Sequence, residues 1–276
     1  MIGRADQPRS PSDGAAPATA DRGALAGGSM ADVVRGTDWI ARLPERACAA
    51  REDALLEAVQ AGLLAPITWV PVHSEHGEHR ATFLVSADAL RIGDAEDSVR
   101  INASARTTQR IADLLECAML TTRLCDLVWE QASVRIRPCI GAPDPTMANT
   151  SRMLEHHRRV EERVAGRAGL IENVGKHWVL TNRLAGSRDR AANYGWYDAS
   201  AAHRQGQHAL WQPLGLAHDL DHVDYSQVVR LVRRRCTVDD VERELLDVMT
   251  DPELAGLVSS EGPLRVLRQP GVPEAA

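Results

Sequence analysis

The chain has 276 residues, of which 44% are hydrophobic and 25% charged, the composition of an ordinary globular protein with ample apolar material for a core. Its 32 basic and 38 acidic residues leave a net charge of −6, so no global positive field favours nucleic acid. No apolar leader and no run of 18 apolar residues occurs, and we expect neither a signal peptide nor a membrane span. Five widely spaced cysteines without a CxxC pair argue against a disulfide framework or a thiolate zinc site, and for a reduced, cytoplasmic protein.

Residues 1–33 are rich in Ala, Gly, Pro, Ser and Asp and read as a disordered tail. A single α+β domain is expected over 34–262, followed by a flexible tail, 263–276. Within the domain, Thr37-Asp38 opens a helical pattern that Pro44 interrupts and Gly62 ends. The stretches "PITWVPVH" (66–73) and "RATFLVS" (80–86) read as two strands, with shorter ones at 90–92 and 98–101. Thus 34–104 is a helix followed by a small antiparallel sheet.

Residues 105–166 read as helical. Ile111, Leu114, Leu115, Ala118 and Met119 recur at helical spacing, as do Leu124, Leu127, Val128 and Ala132, with threonines at the expected caps. A charged helix over 150–165 carries His156 and His157 on what reads as a solvated face. In 167–262, "HWVLTNRL", "AANYGWY", "LWQPLG" and "HVDYSQVVRLV" read as strands of a mostly antiparallel sheet, ending in a helix at about 238–248. This sheet is expected to carry the site.

The segments "GKHWVLTNRL", "AANYGWY", "WQPLGLAH" and "HVDYSQVVRLV" resemble a family of mostly bacterial proteins of unassigned activity. Its pattern runs roughly KDVVLTNRL, YGWH, QPL, a His, then YVDYSHGIRLV. "ATFLVSADALRIGD" and "TTQRIADLLECAMLTTRLCDLVWEQA" extend the resemblance over most of residues 50–260. Many relatives carry export signals and some carry cell-wall-binding modules, which implies a surface polymer as target. Tyr197 and Gln227 stand where the family has histidines, and His222 stands at a tyrosine position. Roles resting on Lys176, Tyr194, Trp196, Gln212, His218, Asp224, Tyr225 and Ser226 are unaffected by those departures.

The densest chemistry lies in "HDLDHVDYSQ", residues 218–227. His218 and His222 are spaced i, i+4. On a helix they would share a face as an HxxxH metal pair; on a strand they would lie about 13 Å apart and could not share an ion. The alternation of Val223, Tyr225, Val229 and Leu231 with His222, Asp224, Ser226 and Arg230 favours a strand. A divalent metal held by His218 and His222 is therefore the weaker alternative, and no other cofactor is expected. Ser226 lacks a Gly-x-Ser-x-Gly elbow, and a triad within five strand residues is sterically poor.

The preferred reading is a hydrolase or transferase acting on an amide or glycosidic bond of a small-molecule, peptide or glycan substrate. His218 is its general acid/base, oriented by Asp224. Tyr194 and Lys176 stabilise developing negative charge, and Ser226 is a nucleophile or hydrogen-bonding partner. Trp196, Tyr197, Gln212, Tyr225 and His177 supply the substrate wall. The alternative is a ligand-binding or assembly protein that uses the same wall without turnover.

Overall fold

The computed structural model describes residues 34–200 and 208–274. The disorder expected of 1–33, and the last two positions of the tail expected over 263–276, lie outside the described residues. Two short helices, α1 (Gly36–Ile40) and α2 (Ala49–Gln60), open the chain, and Gly62, at φ +75°, ends the second. The hairpin of β1 (Trp69–His76) and β2 (His79–Ser86) follows in register from Trp69↔Ser86 to His76↔His79. Its two-residue turn starts with Gly77 at φ +59°, the position that favours glycine in hairpin turns of the II′ kind. A small ladder joins β3 (Arg91–Gly93) to β4 (Ser98–Arg100).

The middle is not all helical. Helix α3 (Ala105–Leu114), capped where Ser104 accepts from the Thr107 N–H, stops short of the apolar run "CAMLT". That run is instead a buried strand, β5 (Cys117–Thr121), before α4 (Thr122–Gln131), which Thr121 caps. Short strands β6 (Val134–Arg135) and β7 (Ile171–Glu172) pair in parallel on either side of α5 (Thr150–Val164). Helix α5 ends in left-handed Ala165 and Gly166, a usual C-terminal stop. His156 and His157 lie on its buried face rather than in solvent.

The last third supplies β8 (Lys176–Leu180), β9 (Arg190–Tyr197), β10 (Leu210–Asp219), β11 (Leu231–Val238), β12 (Val241–Glu244) and α6 (Leu245–Thr250). The final helix is thus shorter than expected, its first half being strand β12. The N-terminal hairpin and the C-terminal strands do not form separate sheets. They merge into one eight-stranded sheet, β1-β2-β11-β5-β8-β9-β10, with β12 beside β11. Only β5–β8, among its ladders, is parallel. Residues 263–274 are not a loose tail: Leu264, Val266, Gln269 and Val272 are buried.

Alternate residues of the central strands sort the core into two faces. Cys117 of β5 packs with Ile111 and Ala112 of α3, and Met119 packs with Trp178 and Leu180 of β8. On the other face Ala118, Leu120, Val179, Ala192 and Tyr194 pack with Leu124, Leu127 and Val128 of α4. Four of the five cysteines are buried and all are free; Cys48 is exposed. Among the described residues no helix is long and apolar enough to cross a membrane.

Candidate functional site

Strand β8 divides the candidate residues between the two faces of the sheet. Successive side chains point to opposite sides, so Lys176 and Trp178 share the α3 face, while His177 shares the α4 face with Val179. Across the ladder, Lys176 lies opposite Gly195 and Trp178 opposite Asn193. Gln212 on β10 also lies opposite Gly195, which sets Gln212, Gly195 and Lys176 in one row.

Residues 220–230 fold over this face, and they are not the expected strand. Asp224 accepts from the Ser226 N–H at 2.7 Å and from its hydroxyl, and Gln227 Oε1 accepts from the Asp224 N–H at 2.7 Å. These local bonds make a turn and compete with extended pairing. The strand therefore begins only at Leu231. The loop docks through Lys176 N–H to the Ser226 carbonyl, 2.6 Å, and Val228 N–H to the Lys176 carbonyl, 3.1 Å.

This fold-back assembles a compact polar centre. Lys176 Nζ lies 3.4 Å from Asp224 Oδ2 and 5.4 Å from the centre of the Trp196 ring. His222 Nε2 lies 3.7 Å from the same carboxylate oxygen, beyond hydrogen-bond reach. The His218 and His222 rings stack with centres 3.9 Å apart and planes 16° from parallel. Trp178 stands edge-on to both, at 6.0 and 6.4 Å. The pair is neither on a helix nor spread along a strand: β10 ends at Asp219, and the turn behind it brings His222 back over His218.

Burial, helped by the neighbouring His222 and Lys176, pushes His218 down to about 4, so its imidazole is neutral at pH 7. For Asp224, burial alone would raise the carboxyl. The His222 imidazole, the Lys176 charge and the Ser226 donors outweigh it and hold Asp224 well below the usual carboxylate range. A groove of about 480 Å³ is lined in part by Cys48, Glu52, Ser104, Arg106, Asp221 and Val223, but by neither His218 nor His222.

Several expected site residues lie elsewhere. Tyr194 and Tyr197 belong to the α4 face, where both hydroxyls donate to Asp126 Oδ1, at 2.9 and 2.8 Å. Tyr194 therefore does not stabilise charge beside Lys176. His177 is buried on that face too, 3.2 Å from Glu172, whose other oxygen accepts from Arg230 at 2.9 Å. Tyr225 stands behind the site: its hydroxyl accepts from the Gly141 N–H at 2.7 Å and its ring leans on Trp196. Gln212 donates to the adjacent Pro213 carbonyl. Ser226 is buried with its hydroxyl bound to Asp224, and it positions that carboxylate rather than facing a substrate.

Three residues of the centre went unassigned in the sequence reading: Trp178, Asn193 and Gln227. Trp178 is two positions from Lys176 on a strand, and that spacing alone marks it as a neighbour. The divalent-metal alternative for His218 and His222 finds no support in the donor set. Stacking turns the ring faces toward each other, whereas zinc needs converging donors at about 2.0–2.1 Å. Among the described residues, no group of three or more His, Cys, Asp or Glu side chains is arranged to hold a metal ion. In comparisons with known proteins, no family model, curated protein or solved structure matches the chain.

Proposed function

We propose that this protein is a hydrolase or transferase that cleaves an amide or glycosidic bond by acid–base chemistry at the 218–224 centre. The observation that carries the reading is the stacked imidazole pair of His218 and His222, backed by the buried Lys176–Asp224 pair. His218, neutral at pH 7, accepts a proton from the attacking water or acceptor hydroxyl and returns it to the leaving group. Asp224 holds His222 and Lys176 in place, and Lys176 offers positive charge where negative charge develops. Ser226 is a positioning residue, which makes the bound water or acceptor, not a serine, the nucleophile.

Chromogenic esters, amino-acid anilides and aryl glycosides test this reading as one panel. Removing a positioned acid/base costs about 10²–10⁴-fold, so His218→Ala should lose at least a hundredfold in kcat/KM on whichever substrate the protein turns over. Ser226→Ala should lower kcat/KM far less. Turnover unchanged by His218→Ala, or none on any substrate, would overturn the reading. A second reading, ligand binding without turnover, draws on Trp211 of β10, which is 60% exposed and offers a flat apolar platform to a sugar or peptide. Saturable binding to a wild-type protein without turnover would favour it.

A further inference from the structure

Around Lys176 lie buried polar atoms that bond to nothing in the protein, and those on the neighbouring Asn193, Trp196 and Gln227 are all N–H donors. They are Asn193 Nδ2, Trp196 Nε1 and Gln227 Nε2. The three residues are at most 6% exposed. Trp196 lies beneath the Lys176 ammonium, Gln227 is bridged to Lys176 through the backbone, and Asn193 lies on the same face two positions from Gly195. The Gln227 amide is oriented without ambiguity. Its oxygen accepts from the Asp224 N–H, so its free arm is the NH2 group, and an indole nitrogen can only donate.

Native proteins seldom leave buried donors unpaired, and such groups need an explanation. Trp196 adds a second anomaly. It sits at φ +56°, a left-handed conformation rare for a bulky side chain, of the kind that clusters at functional sites. Asn173, itself at φ +74°, clamps the turn by accepting from the Tyr197 N–H at 2.7 Å.

We infer that Lys176, Trp196 and Gln227, flanked by Asn193, form an oxyanion site, and that the substrate is an acyl compound, an amide or ester, rather than a glycoside. The inference rests on the acid–base reading of His218 and selects between its two bond classes. In acyl cleavage, the water oxygen bonds to the carbonyl carbon while its proton passes to His218. The carbonyl π pair moves onto oxygen, where clustered donors stabilise it. Collapse restores the C=O, breaks the bond to the leaving nitrogen or oxygen, and hands it the proton from His218. A glycosidic transition state is oxocarbenium-like and develops positive charge, which the same donors would oppose.

Side-chain N–H signals report on this directly. In ¹H–¹⁵N spectra, sodium acetate, the carboxylate product of acyl cleavage, should shift the Trp196 indole and Gln227 amide signals saturably. Methyl β-glucoside, at equal concentration, should not. Trp196→Phe and Gln227→Met should each weaken acetate binding at least fivefold. Signals unmoved by acetate, or moved equally by the glycoside, would overturn the acyl assignment, and the wild-type spectra decide this even if neither variant folds. The two readings fail separately. Acetate shifts alongside turnover that His218→Ala leaves unchanged would remove the acid–base role and keep the oxyanion site. Loss of turnover in His218→Ala without acetate shifts would remove the oxyanion site alone.

Discussion

Asp224→Ala is expected to lower the free energy of unfolding by about 3–5 kcal/mol, the usual cost of breaking a buried ion pair from one side. The Asp224 and Lys176 side chains are 4% and 9% exposed, so the substitution strands an ammonium group inside the protein. It also removes the acceptor for the Ser226 N–H and hydroxyl, both buried, and a buried donor without a partner carries its own desolvation cost. The loop over β8 would lose the turn that sets its path. Asp224→Asn, which keeps an acceptor oxygen, should cost less than Asp224→Ala. In the background of Lys176→Met, Asp224→Ala should lose much of its effect, because no stranded charge remains. Urea unfolding of the wild type, the three single variants and the double variant checks this. Equal costs of Asp224→Ala in both backgrounds would mean that the pair contributes no coupling.

The second large effect is acid lability. On the buried face of α5, burial and the Arg100 charge push His156 down to about 3 and His157 down to about 4. Groups facing them include Arg100, Arg91, Arg159, Asp88, Glu161 and Asp224. His157 Nδ1 lies 3.5 Å from the Arg100 guanidinium, and the His156 ring meets the Tyr225 ring edge-on at 5.1 Å. Both folded values lie below the unfolded value of 6.5, so the unfolded chain binds protons that the folded chain refuses. Stability is then full above about pH 6.5 and falls as the pH drops toward 4. These two groups alone lose about 2.7 kcal/mol per pH unit near pH 5, at 1.36 kcal/mol for each, and His218, also held down to about 4, adds to the slope in the same direction. Unfolding by urea between pH 6 and pH 5 should show a slope of about this size or more, and His156→Gln should lower it by about 1.4 kcal/mol per pH unit, the share of one group. A flat profile would contradict the neutral burial of both rings.

Much of the fold was legible wherever one physical signal dominated. The hairpin around Gly77, the Thr121 cap and the glycine stop at Gly62 all follow from local chemistry, whereas the cap of α3, expected at Thr107 or Thr108, is Ser104. Strand β5 was hidden because "CAMLT" is a short apolar run, and a buried strand and a buried helix turn look alike at that length. Its neighbours on both sides are true helices, which carried the helical period across it. The merging of N- and C-terminal strands into one sheet depends on long-range pairing, which no local pattern encodes.

The candidate site was legible in place but not in shape. The stretch 218–227 does lie at the polar centre, with Lys176 brought to Asp224. The alternation of Val223, Tyr225 and Val229 nevertheless suggested a strand, because hydrophobic alternation takes no account of the Asp224 carboxylate capturing the Ser226 N–H two residues on. An Asp-x-Ser pair is a known turn-former, and it was the available signal. The grouping of Tyr194 and His177 with Lys176 ignored strand periodicity, which places His177 on the opposite face from Lys176. The turn at Trp196 that sends Tyr197 to the α4 face has one local marker, Gly195, itself at φ +127°, since an isolated glycine within a strand pattern signals an irregularity.

The central claim is that His218 stands as a neutral proton acceptor in the Lys176–Asp224 centre, and the ring signals of His218, followed by NMR from pH 8 to pH 5, test it most directly. A ring held down to about 4 by burial, His222 and Lys176 should remain in its neutral form over that whole range. A titration step near pH 6.5, the value of a solvent-exposed imidazole, would show His218 to be an ordinary surface histidine and would contradict the acid–base centre.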